Sequence, residues 1–227
     1  MRNARTSLTL GAVAGPLFVV TGLAQAFVRT GFDLREHTLS LLSNGNLGWI
    51  QIANFVVSGA LFLVGAAGMR AAVRDRPGRR WGPLLVGVFG LGMLAAGVFV
   101  PDPAYGFPPG TADGKPASIS WHGALHYTCA TLAFLSLVGA CVVFARRFCR
   151  LGEARWGIGS LLTGLLVAAG VAAVASGSHN AAANLTFIVT ALLGFLWASA
   201  LALKLRPTIH YAHGKEKRWD SQSFISK

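Results

Sequence analysis

Charge is scarce in this sequence, and acidic charge most of all. Of its 227 residues only 12% are Asp, Glu, Lys or Arg, and eight are acidic. A soluble domain carries roughly 25% charge, so an ordinary water-soluble fold is excluded. Cysteine is scarce too: three residues cannot build a disulfide framework. Cys129 and Cys141 fall in one apolar block, ~18 Å apart along a helix, too far to bridge. Cys149 lies in a basic loop, and all three read as packing residues or reduced thiols. Motifs that would name a chemistry are also missing. There is no His-Glu-x-x-His pair and no glycine-rich phosphate loop following a strand.

Apolar sequence is plentiful, at 53% of the chain, and it comes in blocks. Blocks of about twenty residues match the hydrocarbon thickness of a bilayer. They fall at residues 8–28, 49–69, 81–100, 121–145, 156–176 and 184–203. The expected fold class is therefore all-α, a polytopic membrane bundle of six transmembrane helices over residues 1–205, followed by a polar tail, 206–227. The first block, with its basic start and Ala24-Gln25-Ala26, has signal-peptide features. Its length and its paired Gly11 and Gly15 favour a retained helix.

Basic residues give the formal charge of +12 and also an orientation. Seventeen of the twenty Lys and Arg fall on the side of the two ends, and Arg29, Arg35 and Lys115 on the other. Cytoplasmic loops retain positive charge, so both termini are expected in the cytoplasm and the protein in the inner membrane. This placement in short loops argues against nucleic acid as a partner. The lipid bilayer is the partner composition implies; a protein partner or a homo-oligomer is left open.

Polar residues collect toward the opposite, outer side. His122 and His126 are one turn apart at the start of the fourth block, hence on one helix face. His37, Asp33, Glu36, Asp102 and His179 fall in outer segments, while Gln25, Asn54, Ser58 and Asn184 lie just inside the spans. Polar groups at that depth are expected to face protein or water rather than lipid, which suggests a polar cup. Three uses compete. The polar groups can pin helices and loops together, as a structural or partner-binding protein requires. They can transport a small molecule, although the mid-span polar residues are only Ser and Thr. Alternatively His122, His126 and His37 can hold zinc, with Asp33, Ser40 and Asp102 as catalytic groups in hydrolysis of a lipid or amphiphile at the outer leaflet.

Several segments carry a family likeness. Phe32-Asp33-Leu34, His37-Thr38-Leu39-Ser40-Leu41-Leu42, Gly48 to Phe55, Gly97 to Asp102 and Ser120-Trp121-His122-Gly123 with His126 resemble the bacterial domain-of-unknown-function 998 membrane proteins. The resemblance covers roughly residues 8–205 and implies six spans without an established activity. It places recurrent outer segments on Asp33, His37, Ser40, Asp102, His122 and His126. A looser similarity joins Ser40, Asp102, His37, His122 and His126 to the Ser, Asp and His set of ceramidase-like membrane hydrolases, which bind zinc. Those enzymes have seven spans and another motif order.

Overall fold

A computed structural model describes residues 2–73, 78–177 and 180–206. Most of the polar tail, residues 207–227, and His179 lie outside the described residues. Six helices are present: α1 Arg2–Val28, α2 Gly48–Ala72, α3 Trp81–Val98, α4 Trp121–Arg150, α5 Ala154–Ala175 and α6 Ala181–Lys204. All six are long and apolar enough to cross a membrane. No strand occurs among the described residues. α6 starts three residues ahead of the expected Asn184 because Asn180 caps it, its Oδ1 accepting from the Ala183 N–H at 2.8 Å. Ser120 caps α4 in the same way, accepting from Gly123 N–H at 3.0 Å.

Each helix packs on its neighbours in chain order. α6 then returns to pack on α1, so the helices form a closed ring. In lipid the packing itself, rather than burial from water, drives such association, and small residues let backbones approach. At Gly11 a Cβ would lie 2.6 Å from the Gly65 Cα, which brings α1 and α2 into backbone contact. Gly59 of α2 and Gly90 of α3 do the same: each would put a Cβ within 2.8 Å of the other's carbonyl oxygen. Pro16 interrupts the hydrogen-bond ladder of α1. Ser199 of α6 serves the backbone beside it, its Oγ accepting from Gly15 N–H at 2.8 Å.

Aromatic side chains fill the middle of the ring. Phe62, Phe89 and Phe195 meet with centroids 5.1–6.0 Å apart, and Phe18 stacks on Phe195 at 4.3 Å. Toward the end where α1 begins, Phe144, Phe148, Leu137 and Leu201 are fully buried. The opposite end, here the loop face, carries residues 29–47 and 99–120.

Candidate functional site

Between the aromatic floor and the loop face, the axis of the ring is not filled. A cavity of about 80 Å³ lies there, several times the ~10–15 Å³ that admits one water. Its walls come from α1, α2, α3, α4 and α6, with Phe18, Phe55, Phe89, Phe134, Phe187 and Phe195 supplying rings. Small residues, Ala96, Ala130 and Ala191, form part of its wall, while Gly92 and Ala133 pack against each other where α3 meets α4, a Cβ added at Gly92 standing 2.7 Å from that of Ala133. Two hydrogen-bonding side chains line it, Ser40 and His126.

Ser40 belongs to a short 3-10 turn, Leu39–Ser43, that packs on α1 and α2 and roofs the cavity with Leu39 and Ser40. The roof is tied down from several directions. Arg29 donates from Nη1 to the Leu42 carbonyl and from Nη2 to the Asn44 carbonyl at 2.6 Å. Its guanidinium also sits over the Phe107 ring, 4.9 Å from the centroid. Asn44 Nδ2 reaches Pro101 O at 3.1 Å, joining the two loops. Asn184 of α6 donates to Leu34 O at 2.9 Å.

His37 is a further tie. Its Nδ1 accepts from Asp33 N–H at 2.9 Å, which leaves Nε2 to donate to Tyr105 O at 2.8 Å. Both ring nitrogens are engaged, and the ring packs between Phe32 and Phe107. Tyr105 adopts the left-handed backbone, with φ 56°. Burial, and secondarily the Glu36 carboxylate, raise its phenol above the usual value. Asp33 is exposed and closes its own turn, accepting from Arg35 N–H at 2.8 Å. Asp102 accepts from Ser120 N–H at 3.0 Å and lies over Gly123, where a Cβ would meet its Oδ2. An acid there complements the N-terminal end of α4.

His126 and His122 share a helix turn but not an environment. His122 is exposed with its ring on Trp121, centroids 3.5 Å apart. His126 is 2% exposed, and its Nδ1 lies 3.0 Å from Ala96 O, in the last turn of α3, and 2.8 Å from Phe99 O, just beyond it. Carbonyl oxygens only accept, so Nδ1 carries the proton.

Of the six residues singled out from the sequence, Ser40 and His126 therefore share the cavity. Asp33 closes its own turn, His37 and Asp102 bond backbone groups of other loop-face segments, and His122 is exposed. Among the described residues, no three His, Cys, Asp or Glu are grouped so as to hold a metal ion.

The polar tier beneath the loops is also distributed differently from a single cup. Gln25 Nε2 donates to Gln51 Oε1 at 2.8 Å, and Asn54 Nδ2 donates to Gln51 Oε1 at 3.2 Å and Phe18 O at 3.1 Å. Ser58 Oγ then reaches Asn54 Oδ1 at 3.4 Å. This chain of amides bonds α1 to α2, and all four residues are buried. Gln51 is the member that sequence reading missed; its spacing of three from Asn54 was the available signal.

Fold and site together define a six-span helical membrane protein whose ring of helices borders a partly open, mainly apolar cavity. A family model described as "Protein of unknown function (DUF998)" matches residues 12–204. The chain belongs to this family. No curated protein and no solved structure matches it.

Proposed function

We propose that this protein binds the apolar chain of an amphiphile inside its helix ring, the roof residues keeping water and bilayer lipid out. The carrying observation is an apolar-walled cavity with Ser40 and His126 at its polar positions. Hydrogen-bonded side chains are spent on the roof, while the interior at the same depth is left open by alanines. A bundle needing only stability would fill that space, since unfilled volume of this kind costs packing contacts. The polar residues of the loop face thus act as pins that hold the site's roof.

The test is binding of an alkyl chain that ends in a trifluoromethyl group, followed by fluorine NMR on purified protein. A bound resonance distinct from the micelle signal is expected in the wild type and lost in Ala130→Phe, which adds a ring at the cavity wall. A signal that persists in Ala130→Phe would place the chain on the outer wall and end this reading.

The same reading puts the loop face outside the inner membrane. Support comes from the placement of seventeen Lys and Arg toward the opposite face. In a chain carrying Cys149→Ser, a membrane-impermeant maleimide applied to intact cells is expected to label Thr111→Cys and spare Gly152→Cys. The reverse pattern would invert the orientation.

A further inference from the structure

The chemistry of His126 selects among amphiphiles, an inference that rests on the proposed binding of an apolar chain. With Nδ1 committed to Ala96 O and Phe99 O, the ring's remaining nitrogen is an unprotonated lone-pair acceptor. His126 lines the cavity, and the hydrogen bonds of its ring all run through Nδ1. An acceptor nitrogen beside apolar walls is a position where a partner's hydrogen bond is favoured. Ser40, on the roof of the same cavity, has its hydroxyl 3.1 Å from that of Thr38 and can both give and accept. No charged side chain lines the cavity. A carboxylate or phosphate would enter without a countercharge and would meet a nitrogen that can only accept.

We infer that the ligand is a neutral amphiphile whose polar end carries a hydroxyl, its O–H donating to His126 Nε2 and its oxygen accepting from Ser40. Long-chain alcohols and acylglycerols with a free hydroxyl belong to this class. Fatty acid anions and phospholipid headgroups do not.

Photoaffinity labelling separates this inference from the one beneath it. Purified wild-type protein is exposed to three diazirine-bearing chains of equal length, an alkane, a primary alkanol and a carboxylate, and labelled residues are mapped by mass spectrometry. Labelling at Phe134 and Ile188 of the cavity wall is expected with the alkanol preferred over the alkane by roughly three- to tenfold, the worth of one hydrogen bond, and with the carboxylate weakest. His126→Leu is expected to keep alkane labelling and lose the preference; His126→Gln retains it, because the amide both donates to the carbonyls and accepts.

Equal labelling by alkane and alkanol in the wild type, or a preference that survives His126→Leu, overturns the hydroxyl assignment while leaving cavity binding intact. No cavity labelling by any chain overturns both. Since His126 also ties α4 to α3, the leucine variant is backed by a measurement on unaltered protein. Imidazole nitrogen NMR is expected to show the Nε2 acceptor signal move with alkanol and stay with alkane. An unmoved signal refutes the contact.

Discussion

Arg29 is the side chain on which the roof depends most, and its removal gives a quantitative test of the pinning argument. Arg29→Ala deletes two hydrogen bonds from one guanidinium, to Leu42 O and Asn44 O. It also removes the cation over Phe107. Bonds from charged donors contribute about 1.5–3 kcal/mol each, and the cation–π contact about 0.5–1 kcal/mol at a partly exposed site. Arg29 is half-buried, and the freed carbonyls regain water, so the net loss falls toward and below the foot of the summed range of about 3.5–7 kcal/mol. A loss of about 2–4 kcal/mol in the free energy of roof opening is expected. At tenfold per 1.4 kcal/mol, amide exchange in the roof should accelerate by roughly thirty- to several-hundred-fold. The reporters are Leu41 N–H, bonded to Thr38 O, and Asn44 N–H, bonded to Leu41 O. Amides of α6 should be unchanged. Arg29→Lys should fall between, because a point charge cannot hold two carbonyls in a fixed fork. Exchange altered by less than about threefold at both amides would refute the claim that Arg29 holds the roof.

Four further expectations follow from particular positions. Gly59→Val should destabilise the α2–α3 contact, where the new Cβ would stand 2.7 Å from Gly90 O; overpacking against backbone costs about 1–3 kcal/mol or more, read as a lowered unfolding midpoint in detergent. Gly152→Ala, where nothing lies within 4 Å but φ is 75°, tests backbone strain alone and should cost less, about 1 kcal/mol. In an ultraviolet phenolate titration, Tyr105 should ionise above an ordinary tyrosine, and Glu36→Gln should lower it only part of the way, because burial is the larger cause. A complete return to the ordinary value would invert that ranking. Asp102→Asn keeps an acceptor for Ser120 N–H but loses the charge at the start of α4, for about 0.3–1 kcal/mol. Asp102→Ala loses the hydrogen bond as well and should be worse by about 1 kcal/mol; equal effects would assign the whole contribution to charge.

Fold and site were unequally legible in the sequence. Blocks of apolar residues report directly on a bilayer's thickness, so the all-α six-span class could be read from composition and length. Which polar residues matter could be partly read, because burying Gln25, Asn54 or His126 unpaired would be too costly for them to be incidental. Their partners could not. His37 bonds Tyr105 O across 68 positions, and a carbonyl acceptor leaves no mark on the residue that supplies it. A His-x-x-x-His spacing fixes a shared helix face but not the environment at each end of the turn. His122 therefore reaches the exposed rim while His126 turns toward α3. The cavity left the faintest trace. It is lined by Ala96, Ala130 and Ala191 among larger residues, and small residues in a span read equally as close packing, as they are at Gly59, Gly90 and Gly92. Only the closure of α6 onto α1 shows that the small residues face a common axis.

The most direct test of the account is a crystal structure with a bromine-bearing primary alkanol, located by anomalous scattering. The predicted result is a bromine peak inside the ring, bordered by Phe18, Phe89 and Phe195, with the hydroxyl oxygen within hydrogen-bonding reach of His126 Nε2. Bromine found only along the outer wall, beside the exposed Leu132, Leu165 or Val189, with the interior unchanged, would contradict it.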